Sequence, residues 1–285
     1  MKKRTYFMFI LAVIGLLLIG CGNAKPDFKD MDINGGVVIP IKESYSSWDE
    51  LRSDLFDMLC LYETKDNKRV YSMGTMHSIY GSIELGYSFA DLIDTIDMIQ
   101  PDMILLETHD DSFQKYGAID GPAEMLFTCG YAQTKGIPVY GIDYWELDND
   151  ILNNINTTNN NRDNQMFYNI YDKVVEAKEN STIFVIFGGE HFYNAIPRME
   201  LVGWERKELD TSEYYKHIER ESYQYPEKIQ SVVQNTINYY ETEYVEKIKA
   251  SITEEAVCEQ MMQKNAATVE NLRRVLEWLG YNAVY

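Results

Sequence analysis

Short apolar runs rich in strand formers recur along this chain, and amphipathic stretches separate them. Met58 to Glu63 and Arg69 to Met73 flank the polar break T-K-D-N-K, a pattern that predicts a hairpin. Tyr87 to Gln100 then sets Phe89, Leu92, Ile93, Ile96 and Ile99 at helical spacing, and Pro101 stops the helix. Met103 to Leu106 reads as a buried strand. Gly121 to Lys135 predicts a helix ended by Gly136, and Ile137 to Asp143 the next strand. Phe167, Ile170, Tyr171, Val174 and Val175 mark a further amphipathic helix before the strand Thr182 to Phe187. A helix to Leu201 and an edge strand at Trp204 to Leu209 complete the alternation. Strand and helix alternating at this spacing predict an α/β fold, a largely parallel sheet flanked by helices on both faces.

The two ends differ from this middle. Ser46 to Asp57, with S-x-x-D-E-L, predicts a short capped helix. From Tyr225 onward, Ile229, Val232, Val233, Ile237, Tyr240, Tyr244 and Ile248 step by three and four, and so do Val257, Met261, Val269, Leu272, Val275, Leu276 and Leu279. They predict a C-terminal pair of long antiparallel helices, the second opened by the box Ser251-x-x-Glu254 and closed by Gly280. The pair packs on the sheet or caps its crevice, with its tyrosines as core and rim. Leu147 to Asn164 holds eight asparagines and few apolar residues, so it predicts a surface loop or a lid without core residues.

Candidate chemistry falls on the ends of the predicted strands. Gly74-x-x-His77 and Gly188-x-x-His191 each follow a strand, and Glu107 closes the strand between them. A glycine there lets the backbone turn tightly and holds the imidazole near a fixed scaffold. Two imidazoles and a carboxylate form a common divalent-metal ligand set that leaves positions for water. A metal so held acidifies its water and polarises a carbonyl, whereas without metal His77 could act as general base, oriented by Glu107. Asp143 ends another strand, so one crevice at the carboxyl ends could hold all four residues. Arg162 precedes Asp163, a good N-cap, and reads either as a surface arginine or as a group for a substrate carboxylate or developing negative charge. Glu107 could also simply pair with Arg162. His109 becomes a spare ligand if its strand persists and otherwise opens an exposed loop with Asp110 and Asp111; Glu190 is a further secondary candidate. His217 reads as surface.

Charge and cysteine content limit the surroundings. Lys2, Lys3 and Arg4 precede the apolar run Tyr6 to Ile19, and Leu18-Ile19-Gly20-Cys21 resembles the lipobox of bacterial lipoproteins. The expected organisation is a signal peptide over 1–20, a lipidated tether over 21–36 beginning at Cys21, and one α/β domain over 37–285 that includes helices within 225–280. The expected location is extracytoplasmic, lipid-anchored at a bacterial cell membrane. The chain carries a net charge of -19, and loss of the basic leader makes the remainder more negative still. Such a surface argues against nucleic acid and leaves the lipid as the membrane contact. Cys60, Cys129 and Cys258 allow at most one disulfide, so bridges do not build the fold.

G-T-M-H (Gly74 to His77), the strand-ending Glu107, R-D-x-x-M (Arg162 to Met166) and G-G-E-H (Gly188 to His191), in this order, resemble the superfamily that joins TraB/GumN proteins, Tiki proteases, ChaN-like proteins and erythromycin esterases. The resemblance spans roughly Val70 to Leu209. It implies a hydrolase of a peptide or ester bond, with His77, Glu107 and His191 as metal or catalytic residues and Arg162 beside them. The metal would be a divalent cation such as Mn, Co or Zn. The ChaN branch implies an alternative, a lipoprotein that binds haem or a secreted peptide without turnover. Arg162-Asp163 stands where most TraB/GumN members carry Arg-Asn, and Glu190 where a small residue usually precedes the second histidine.

Overall fold

The computed structural model describes residues 26–28, 46–77, 88–154, 160–214 and 224–282. The chain divides into two compact units, Met1–Met31 and Asp32–Tyr285. The leader, Cys21, most of the tether and His217 lie outside the described residues. Among the described residues no helix is long and apolar enough to cross a membrane.

The second unit is built on a six-stranded sheet. Helix α1 (Trp48–Phe56), capped by the Ser47 side chain, leads into the hairpin β1 (Leu59–Glu63) and β2 (Arg69–Thr75). Helix α2 (Phe89–Ile99) opens with a capping box between Ser88 and Asp91. It ends at Gln100 in the left-handed region, just before Pro101, and β3 (Met103–Leu106) follows. Short α3 (Asp110–Tyr116) and then α4 (Ala123–Lys135), closed by left-handed Gly136, lead to β4 (Val139–Gly141). After a single turn, α5 (Ile151–Asn154), come α6 (Asn160–Glu176), β5 (Thr182–Gly188), α7 (Gly189–Leu201) and β6 (Glu205–Lys207).

The spatial order is β4-β3-β5-β2-β1-β6. The first four strands are mutually parallel, while β1 and β6 add an antiparallel margin, β6 as the edge. Every residue of β5 is buried, as are Ile104 to Leu106, because helices cover both faces at the centre of the sheet. The fold class and the alternation read from the sequence are those observed.

The C-terminal pair is present with different ends. Its first arm breaks at Thr242 (φ -121, ψ -83) into α8 (Glu227–Glu241) and α9 (Glu243–Ser251), and the second arm is α10 (Glu255–Asn282). Thr242 turns its hydroxyl back on the Asn238 carbonyl at 2.7 Å, the competition with the helix ladder that a threonine can offer. Gln230 meets Leu279 and Tyr240 meets Asn265, so the arms are antiparallel. Ser251 closes α9 rather than opening α10, and Gly280 lies inside α10. The start of α10 is held instead by Asn149, whose Oδ1 accepts from Thr253 N at 2.9 Å and Glu254 N at 3.0 Å.

Asn149 belongs to the segment read as a coreless loop. That reading needs a second correction, because Ile151 is fully buried with Tyr239, Tyr244, Ile248, Ile252 and Met261. A short turn of helix sufficed to bury Ile151, with Leu147 and Leu152 packed partly buried against the same cluster. Residues 155–159 of this segment lie outside the described residues.

Candidate functional site

The four parallel strands deliver the candidate residues to one edge. Glu107 follows β3 directly, His77 lies two residues past β2, Asp143 two past β4, and Gly188 ends β5 to open the helix that carries His191. Arg162 arrives from the first turn of α6. Together with Glu190, these residues line one cavity of about 1000 Å³. This is the carboxyl edge of the sheet, where the strands point their ends at a common crevice.

Parallel register explains how the two Gly-x-x-His segments come together. Thr75 pairs with Gly188 across β2 and β5, so the segments leave the sheet side by side. Their glycines serve space rather than a turn. A Cβ at Gly188 would stand 2.7 Å from His77 Nε2 and 3.4 Å from Glu107 Oε2, while a Cβ at Gly74 would stand 2.9 Å from Phe192 Cβ on α7. Each glycine thus clears room for the other segment: Gly188 for the His77 ring, Gly74 for the helix bearing His191.

Each imidazole is held at Nδ1 by a carboxylate. His77 Nδ1 lies 2.5 Å from Glu124 Oε1, which also accepts from Thr75 Oγ1 at 2.7 Å. The expected orienter of His77 was Glu107; its partner is Glu124, brought in by the first turn of α4. Burial opposes a charge on His77, but the hydrogen bond and charge of Glu124 outweigh it and hold its pKa above the usual histidine value. The His77 side chain is 47% exposed and reaches solvent.

His191 is buried. Its Nδ1 lies 2.6 Å from Asp163 Oδ1, and Asn194 Nδ2 donates to the other Asp163 oxygen at 2.9 Å. Asp163 is therefore no N-cap. Helix α6 begins at Asn160, which puts Asp163 on an inward face of the first turn. Arg198 extends the chain of bonds, donating to the Asn194 carbonyl and to Asn164 Oδ1. Burial again opposes the imidazolium, and Asp163 and Glu107 raise the His191 pKa against it.

Glu107 lies against the β5 end that opens the His191 helix. Oε2 accepts from Gly188 N at 2.6 Å, and Oε1 faces His191 Nε2 at 3.6 Å and an Arg162 nitrogen at 3.4 Å. Burial lifts its carboxyl above the ordinary carboxylate value, while His191, His77 and Arg162 pull the other way. Arg162 is only 7% exposed, not a surface arginine, and its closer partner is Asp143, bound through two bonds at 2.9 and 2.8 Å. Asp143 therefore positions the guanidinium. Glu190 stands exposed at the cavity rim.

His109 neither lines the cavity nor opens an exposed loop. It is mostly buried, with Nδ1 2.9 Å from Asp120 and Nε2 3.1 Å from the Trp145 carbonyl. Burial lowers its pKa, but Asp120 overrides this and carries it to about 9.

Sequence reasoning missed Glu124 and the role of Asp163; of its two placements for the C-terminal helices, the one over the crevice supplies part of the cavity wall. The available signal for Glu124 was a carboxylate at the head of a helix whose next three residues, Met125 to Phe127, are apolar. Cys60, Cys129 and Cys258 are free thiols. Compared with family models, with curated proteins and with solved structures, the chain finds no match.

Proposed function

We propose that this protein is a hydrolase that uses His77 to activate water against the carbonyl carbon of a peptide or ester bond. The observation that carries the reading is a pair of imidazoles, each pinned at Nδ1 by a buried carboxylate, that share one cavity with Glu107 and Arg162. With Nδ1–H committed to Glu124, the His77 ring presents Nε2 as an acceptor. Water gives its proton to Nε2 as its oxygen bonds to the carbonyl carbon, and the carbonyl oxygen becomes an oxyanion. Collapse of that intermediate breaks the C–N or C–O bond, and the leaving atom takes the proton back from His77. Glu124 steadies the imidazolium between these steps, and the Arg162 guanidinium, aligned by Asp143, is the cation suited to the oxyanion. The motif order that resembles the TraB/GumN, Tiki, ChaN and erythromycin esterase superfamily supports the same reaction class.

The donor set fits a divalent cation in kind, since metal-bound histidines commonly hand their other ring nitrogen to a carboxylate, as His77 and His191 do. Its arrangement gives the cation less support. Among the described residues no three of His, Cys, Asp or Glu gather as a ligand set, and Arg162 already gives Glu107 a positive neighbour. The steps above therefore run through side chains alone. The metal-dependent form, with His77, Glu107 and His191 as ligands, is the second reading, favoured by the two imidazole–carboxylate pairs.

The test is hydrolysis of a peptide and ester panel by the whole protein and by His77→Ala, with elemental analysis alongside. Loss of turnover in the variant is expected, with activity surviving chelation. Unchanged turnover in His77→Ala overturns the reading; a stoichiometric metal whose removal abolishes activity moves it to the metal-dependent form. A Soret band on adding haem, with no turnover of any substrate, would favour the haem-binding alternative. We also propose that Cys21 carries the lipid that holds the protein at a bacterial membrane; palmitate labelling lost in Cys21→Ala is the check.

A further inference from the structure

The cavity has two walls of different chemistry, and the reaction above uses one of them. Trp145, Tyr240, Tyr244 and Met261 line the other, which the C-terminal helices and the segment after β4 provide. Their rings are packed edge to face. Trp145 and Tyr244 have centroids 6.4 Å apart at 85°, and Tyr240 and Tyr244 are 5.0 Å apart at 83°. Behind them His109 meets Trp145 edge-on at 4.4 Å, and its Nε2 reaches the Trp145 backbone. The corner is therefore set before anything binds, and rings with few rotatable bonds lose little freedom when they do.

Two observations separate this corner from ordinary core. Tyr244 and Met261 are buried, but Trp145 and Tyr240 keep part of their surface on the cavity. Among the described residues, moreover, no hydrogen bond joins the Tyr240 or Tyr244 hydroxyl to another protein group. Neighbouring Tyr239, by contrast, bonds Ser112 at 3.0 Å and Lys247 at 3.2 Å. Neither hydroxyl is among the fully buried unpartnered atoms of the described residues, and both residues line the cavity. Burial keeps Tyr240 and Tyr244 neutral, so each can donate or accept. The cavity also has far more room than one scissile bond requires: its α10 wall alone, from Met261 to Asn271, runs roughly 15 Å at the helix rise.

Resting on the hydrolase reading, we propose that Trp145, Tyr240, Tyr244 and Met261 seat an aromatic or bulky apolar side group of the substrate. The two phenols meet a polar group next to it. The seat determines which substrates are turned over; His77 and its neighbours perform the reaction.

The experiment uses matched substrates that differ in one side group, glycine, leucine or phenylalanine, placed in turn on either side of the labile bond. On one side, the whole protein is expected to favour phenylalanine over glycine in kcat/KM by about 10- to 100-fold, the range an apolar pocket gives. Trp145→Ala and Tyr240→Ala should collapse that ratio, and Tyr240→Phe and Tyr244→Phe should lower it less. A binding arm titrates His77→Ala with N-acetyl-phenylalanine amide and N-acetyl-glycine amide. No preference in the whole protein, or a preference unchanged in both alanine variants, overturns the seat. The substrate series decides the matter even if the alanine variants fail to fold. Ring-dependent binding without turnover of any substrate would keep the seat and remove the hydrolase, and turnover without preference would do the reverse.

Discussion

The two Gly-x-x-His segments read alike, yet the fold puts their histidines in opposite surroundings. His77 projects past the end of β2 with its side chain 47% exposed, whereas His191 is drawn into the first turn of α7 and is 6% exposed. Both have a carboxylate at Nδ1, Glu124 for one and Asp163 for the other. The difference lies in what surrounds the rest of the ring. A half-exposed imidazole can trade protons with water, and a buried one between Asp163 and Glu107 is fixed as part of the electrostatic frame. Identical spacing in sequence therefore does not mean equivalent roles: in the proposed reaction His77 is the proton carrier and His191 a fixed support.

That contrast is open to attack. The largest effect is expected from His77→Ala, which should cut kcat by about 100- to 10,000-fold; it also leaves buried Glu124 with Thr75 as its remaining partner, so rates are compared at temperatures where urea unfolding shows the variant folded. A turnover within a few-fold of wild type would break the comparison. Asp163→Ala should act on the other side, through stability. It strips His191 and Asn194 of a buried partner, a loss of about 3 to 5 kcal/mol by urea unfolding.

The glycines sharpen the same contrast at smaller scale. Gly74→Ala forces a methyl against Phe192 in the packed interior and should cost about 1 to 3 kcal/mol of stability. Gly188→Ala pushes on a ring that has solvent to move into, so activity should suffer more than stability. Thermal melts and steady-state rates on both variants compare the two. Smallest is the effect of Glu124→Gln on pH dependence. The proposed reaction needs neutral His77, so kcat/KM is expected to climb as pH rises through the His77 pKa, which Glu124 holds above the usual value. Removing that charge lowers the pKa and moves the acid limb to lower pH. A limb that stays in place would mean that Glu124 does not govern His77.

Much of the scaffold was legible because strands buried on both faces leave unbroken apolar runs. Met103 to Leu106 and Thr182 to Phe187 were such runs, and the helix between β2 and β3 carried its own helical spacing and a proline stop. Side-chain partners were another matter. Glu124 is 47 positions from His77 and Asp163 is 28 from His191, and no local pattern joins them. Asp163 even offered a false local role as a cap, and Ser251 offered another, because capping preferences record only what a residue can do nearby. Asn149 took the second role from across the fold.

By itself the sequence determined the alternation of strands and helices, the carboxyl edge as the place where His77, Glu107, Asp143 and His191 emerge, and the amphipathic C-terminal arms. Periodicity encodes burial locally, so these could be read. Tertiary structure alone decided that β5 inserts between β3 and β2, which sets the residues along the edge in the order Asp143, Glu107, His191 and His77 rather than in chain order. It also decided which carboxylate holds which imidazole, and that Tyr240 and Tyr244 face the site. Strand order and helix docking follow from long-range burial summed over the whole unit, which no stretch of a few residues contains.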